Sequence, residues 1–141
     1  MEKHHEELLL SIRDLRQEMK KINYELYKEG ELTLPQLGVV AVLAENGPSK
    51  VSAIADQVGL ANSTVSGIID RLVKKNIVIR NRLEEDRRTV LISLAEGSER
   101  YYEEFKARRN AYMLEKLKSL DEEETRGLIH SVTRLISLLG G

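Results

Sequence analysis

GLANSTVSGIIDRLVKKNIVIRNRLEEDRR, residues Gly59–Arg88, is the stretch from which the fold can be read. Its first half spaces Val65, Ile68, Ile69 and Leu72 along one face of an α-helix. The polar residues Asn62, Ser63, Thr64 and Ser66 occupy the other face near its start. Short hydroxyl and amide side chains on an exposed helix start suit hydrogen bonding to base edges and phosphates, because backbone N–H groups also point outward there. Two short β-branched segments follow, Ile77–Leu83 and Thr89–Leu94, separated by the charged tip Glu84-Glu85-Asp86-Arg87-Arg88. A helix followed by a basic-tipped hairpin is the layout of a winged helix. The stretch therefore predicts a mainly α fold with a small β-hairpin wing, built to bind DNA.

Upstream, Val51, Ile54, Ala55 and Val58 mark a short helix, with Ser49 as its expected cap, and Gly59 makes the turn into the next one. Two short helices joined by a tight glycine-containing turn, the second polar at its start, form a helix-turn-helix. Before them, Thr33-Leu34-Pro35-Gln36 reads as a capping start: Thr33 is the cap, Gln36 lies three residues on, and Pro35 falls in the first turn. That helix is expected to run to about Ala44, with Leu34, Leu37, Val40 and Ala41 facing inward, until Asn46-Gly47-Pro48 breaks it. Asn76 is placed to end the recognition helix in a left-handed conformation.

Both ends of the chain carry long apolar seams. Leu8, Ile12, Leu15, Met19, Ile22 and Leu26 repeat as in a coiled coil within a helix expected from Glu2 to about Lys28. Beyond the hairpin, Tyr101, Phe105, Arg108 and Tyr112 mark a fifth helix. Asp121 with Glu124 caps a sixth, which carries Leu128, Ile129, Val132, Leu135, Ile136 and Leu139. The expected organisation is an N-terminal dimerisation helix over 1–30, a winged helix-turn-helix over 31–95 and C-terminal dimerisation helices over 96–141. Pairing with a second copy would bury both seams and set two recognition helices about one DNA turn (~34 Å) apart, which suits a palindrome. The alternative is a monomer whose terminal helices fold back on the core.

Composition narrows the function. The chain has 141 residues, 32% of them charged and 41% apolar, as in a helix-rich globular domain. It has no cysteine, which excludes a disulfide scaffold, a zinc ribbon and a thiol sensor and fits the cytoplasm. No signal peptide is evident at the N-terminus, and no run approaches the ~18 apolar residues of a membrane span. Net charge is −1. Between Ala61 and Val90, however, seven basic residues stand against four acidic ones, a local excess of three. Such a patch attracts phosphates, with modest non-specific affinity. His4, His5 and His130 are too few and too scattered for a metal site, Ser63, Ser66 and Ser93 lack a paired histidine and acid, and there is no phosphate-cradling glycine loop. Neither an enzyme nor a bound cofactor is expected.

Taken together, LTLPQLGVVAVLAENG, VSAIADQVGLANSTVSGIIDRLVKKNIVIR and EEDRRTVLISLAEG resemble the MarR family of winged-helix transcriptional regulators, and the terminal helices agree with that family in position and length. The resemblance implies an obligate homodimer with a wing entering the minor groove; the leading expectation is a regulator that acts as a repressor rather than an activator. The resemblance also implies release from DNA when a small molecule binds between the dimerisation and DNA-binding parts. By position, Arg88 would be the wing arginine, Asp86 would orient it by a charge-assisted pair, and Asn62, Ser63, Thr64 and Ser66 would line the major groove. Gly67, Arg71 and Arg87 complete the DNA-facing candidates. Gly67 stands where many members carry a long polar or basic side chain, and either lets the backbone approach DNA closely or weakens readout. Ala95 stands where a capping threonine is common, which leaves Ser93 as the expected cap of the fifth helix. Tyr24, Tyr27, Tyr101 and Tyr112 are candidates to line a pocket for a small aromatic or lipophilic effector, against ordinary packing between long helices. A winged helix used as a protein-interaction module, without sequence-specific DNA binding, is the competing function.

Overall fold

A computed structural model of the chain describes residues 2–28 and 30–141. The elements follow in the order α1 (Lys3–Tyr27), α2 (Leu34–Asn46), α3 (Val51–Val58), α4 (Asn62–Lys74), β1 (Val78–Arg82), β2 (Val90–Leu94), α5 (Glu99–Leu117) and α6 (Glu122–Gly140). They form two compact units, one ending at Arg109 and the other spanning Asn110–Gly141. Among the described residues, no helix is long and apolar enough to cross a membrane.

The first unit is organised around α2. Its start is the capping box expected from the sequence: Gln36 N donates to Thr33 Oγ1 at 3.2 Å and Thr33 N to Gln36 Oε1 at 3.1 Å. The carboxamide is buried, and the same Oε1 accepts from Lys75 Nζ at 3.2 Å, which ties the end of α4 to the start of α2. α2 buries Gln36, Leu37, Val39, Val40, Val42 and Leu43, a far wider surface than the single inward face expected, because α3, α4 and β2 all pack against it. It also runs past Ala44 to Asn46, whose amide donates to Val42 O and to Gln57 Oε1 of α3, each at 3.0 Å. The helix stops at Gly47, where φ is +75°.

α3 and α4 close over α2. Gly59, at φ +73°, turns the chain between them, and α4 buries all four of Val65, Ile68, Ile69 and Leu72. Asn76 ends α4 at φ 62°, the left-handed conformation expected of it. The hairpin then pairs Val78 with Leu94, Arg80 with Ile92 and Arg82 with Val90 in antiparallel register. Its buried end, Val78 and Ile92, joins Ile54, Ile69 and Leu72 in the solvent-free centre of the core.

Two expected caps fail for the same reason. Ser49 does not cap α3, whose N-cap is Lys50 without a side-chain bond. Instead Ser49 N donates to Ile92 O at 2.9 Å and Ile92 N to Ser49 O at 2.8 Å, so one residue acts as a third strand beside β2. Ser93 does not cap α5, because it lies within β2. In each case the backbone is held in sheet pairing, and the Ser49 hydroxyl donates to Gly47 O at 2.9 Å instead of capping α3.

In the second unit, Asp121 caps α6 by accepting from Glu124 N at 2.8 Å, as its spacing predicts. α6 buries none of its residues within the single chain, and its apolar face stays open, with Leu128 51%, Ile129 60%, Val132 45% and Ile136 65% exposed. The seam of α1 is likewise uncovered at Leu8 and Leu15, and Tyr27 alone among the helix's described residues is buried.

Candidate nucleic-acid interface

The face of α4 opposite the core is polar. Asn62, Ser63, Thr64 and Arg71 are exposed, while Ser66 and Gly67 are half-buried. The N-cap is Ala61, which has no side chain able to accept, so α4 starts without a capping hydrogen bond. The first N–H groups of a helix have no intrahelical partner, and with no cap they remain available to an anion or to water.

The wing is fixed by Asp86. Its Oδ1 accepts from Arg88 N at 3.1 Å and lies 3.5 Å from Arg88 Nε, while its Oδ2 accepts from Thr89 Oγ1 at 3.2 Å. Thr89 N donates to Asp86 O at 2.9 Å, and Leu83 N to Thr89 O at 3.1 Å. From the other strand, Arg82 Nη1 donates to Arg87 O at 2.7 Å and draws the tip closed. This use of Arg82 could not be read from the sequence, where it counted only as one charge of the basic patch. The outcome is a rigid turn that holds Arg88 in solvent, its side chain 95% exposed. Arg80, on the core-facing side of β1, forms an ion pair with Asp70 of α4 and so joins wing to recognition helix.

An amphipathic helix with an open polar start, followed by a hairpin with a projecting guanidinium, can read a groove and grip the backbone beside it. The MarR family model matches residues 32–90, which span this core and most of the wing. The HTH-type transcriptional repressor MdtR of Bacillus subtilis is 33% identical over 129 residues, covering 92% of this chain and 83% of that protein. The chain belongs to the MarR family. Two solved structures agree. A MarR family protein from Bacillus stearothermophilus has a TM-score of 0.90 at 26% identity, over 100% of this chain and 99% of that one. The YusO protein of Bacillus subtilis has a TM-score of 0.73 at 32% identity, over 96% of each. This MarR-family chain is thus a winged helix-turn-helix DNA-binding regulator of transcription.

The first unit of this MarR-family protein also holds a cleft of about 490 Å³, lined by Tyr27, Gly30, Glu31, Leu32, Leu37, Tyr101, Glu104, Phe105, Ala107 and Arg108. Of the four candidate tyrosines, Tyr27 and Tyr101 meet there; Tyr24 does not line it, and Tyr112 belongs to the second unit. Tyr27 packs edge-on to Phe105 with ring centres 5.8 Å apart. Its hydroxyl is buried and finds no hydrogen-bond partner among the described residues. Burial pushes the phenol up to about 12, against the opposing pull of the Arg108 guanidinium. Arg108 in turn donates to Leu26 O at 2.5 Å and so satisfies a carbonyl near the end of α1. Tyr102, which the sequence reading passed over, donates to Glu45 Oε1 at 2.5 Å and ties α5 to α2. That bond, more than burial, raises its pKa.

Proposed function

We propose that this regulator acts as a homodimer on a palindromic operator, as a repressor, and that a small aromatic effector in the Tyr27 cleft releases it. Asn62, Ser63, Thr64, Ser66 and Arg71 face the major groove, Arg88 enters the minor groove, and Arg87 grips the adjoining backbone. One observation carries the DNA half of this reading. The carboxylate of Asp86 organises the wing turn around Arg88 while leaving that guanidinium almost wholly solvated, an arrangement that fits a charge held ready for a partner rather than one used to stabilise the chain. Dimerisation is supported by the uncovered apolar faces of α1 and α6, for which a second copy is the simplest cover. The place of action on this reading is the cytoplasm, beside the chromosome.

The test is selection of bound sequences from a random duplex pool at near-physiological salt. The expected result is a palindrome with half-sites one turn apart. Enrichment of no sequence would remove the operator reading and favour the winged helix as a protein-interaction module.

The cleft supports a small aromatic effector, since its walls are largely apolar and aromatic, with Glu31, Glu104 and Arg108 as the charged groups among them. A neutral aromatic such as benzyl alcohol, at millimolar concentration, should raise the thermal midpoint of the protein and weaken operator binding. Tyr101→Ala, which removes one aromatic wall of the cleft, should lose most of both responses. Equal responses in the two proteins would place the effector elsewhere.

A further inference from the structure

Gly67 occupies the middle of α4, and nothing within the chain calls for a glycine there. The positive-φ glycines are Gly47, Gly59 and Gly97, so the backbone at Gly67 is one that any residue adopts. A Cβ added at Gly67 would meet nothing within 4 Å, so no neighbour needs the space either. A glycine inside a helix is nonetheless costly, because it gives up more backbone freedom on folding than alanine does. Its use has to be sought outside the chain.

Its position says where. With about 3.6 residues per turn, the line opposite the buried Val65, Ile68, Ile69 and Leu72 runs through Ser63, Gly67, Asp70 and Lys74. Gly67 is thus at the centre of the outward face, where a groove would meet the helix first. Toward the start of α4 its neighbours are short, since Ser63, Thr64 and Ser66 reach only as far as a hydroxyl; beyond it Asp70 is engaged by Arg80, while Arg71 and Lys74 are long and flexible. Serine, threonine and asparagine read base edges only when the helix backbone lies close, since a hydrogen bond is lost once its atoms separate beyond about 3.5 Å.

We infer that Gly67 is the point of closest approach between the recognition helix and the major groove. Its missing side chain sets the depth at which α4 seats, and therefore sets specificity. This rests on the DNA-facing role proposed above for α4. A methyl group at Gly67 lifts the helix, and the short readers at 62, 63, 64 and 66 lose their base contacts together. Phosphate contacts made by long, flexible arginines and lysines stretch to follow.

The experiment compares the full-length protein with Gly67→Ala on the sequence enriched by the wild type and on random duplex. Gly67→Ala should raise the thermal midpoint by roughly 2–4 °C. It should weaken binding to the enriched site about tenfold or more, and leave binding to random duplex within about twofold. Gly127→Ala is the control: this glycine also has open space around it and lies on the side of α6 turned away from the Leu128, Val132 and Ile136 face, so stability should rise with operator affinity unchanged. Gly67→Ala binding the enriched site as tightly as the wild type would overturn this inference and leave the operator reading standing. Failure of the wild type itself to enrich any sequence would overturn both.

Discussion

Glutamate at both Val132 and Ile136 should turn the protein into a monomer that no longer holds a palindromic site. The two residues are one helical turn apart on the face of α6 that the single chain leaves open, 45% and 65% exposed. In the monomer the charges stay in water and cost little. Across a dimer seam they would face apolar partners, and burying an unpaired carboxylate costs several kcal/mol per charge. Losing the partner also loses the second half-site, whose linked binding is worth about 10²–10⁴ in affinity. Sedimentation should show the change in mass, and titration with the enriched duplex should show the collapse in affinity. The thermal transition of the winged-helix core should persist, because its central side chains all belong to residues before Arg109. A variant that stays dimeric would show that α6 is not the seam.

Arg88→Ala should weaken operator binding by about 1–3 kcal/mol, roughly ten- to a hundredfold, and reduce the slope of log affinity against log salt by about one. The side chain is 95% exposed and its single ion pair lies at the wing tip, so stability should change by no more than about 0.5 kcal/mol. The separation of effects is the point. A charge that leaves folding untouched yet controls affinity is one whose partner lies outside the chain. Arg88→Lys should recover part of the loss, since it keeps the charge without the planar fork. Asp86→Asn should fall between wild type and Arg88→Ala, because it loosens the turn that aims the guanidinium without removing it. Unchanged binding in Arg88→Ala would remove the wing from the interface.

Much of this molecule was legible in its residues because the forces concerned are local. The four apolar positions of α4 are separated by one turn or less, and all four are buried. Thr33 with Gln36 and Asp121 with Glu124 each close a cap within three residues. Asn76 adopts its left-handed conformation for reasons internal to the residue. The pairing of Asp86 with Arg88 followed from the family resemblance, and the contacts of Thr89 and Arg82 that close the same turn were added by the structure. These are the features that identify the winged helix.

The misreadings arose where distant parts of the chain compete for one residue. α2 has no single inner face, because three elements surround it, and periodicity reports a face only when one side of a helix remains in water. Ser49 had a good local role as a cap and lost it to Ile92, forty-three residues away, since a buried strand edge must pair its backbone. The bond from Lys75 to Gln36, thirty-nine residues apart, has no periodic signature at all. Nor could spacing separate Tyr27 and Tyr101, which share the cleft, from Tyr24 and Tyr112, which do not. Residues alone therefore established the elements, the caps at Thr33 and Asp121 and the polar face of the recognition helix, because turns, local caps and amphipathic periods are settled within a few residues. The Ser49 bridge to β2, the cleft and the buried unpaired phenol beside it came from long-range packing, in which buried polar groups and apolar surfaces take whatever partners the fold brings near.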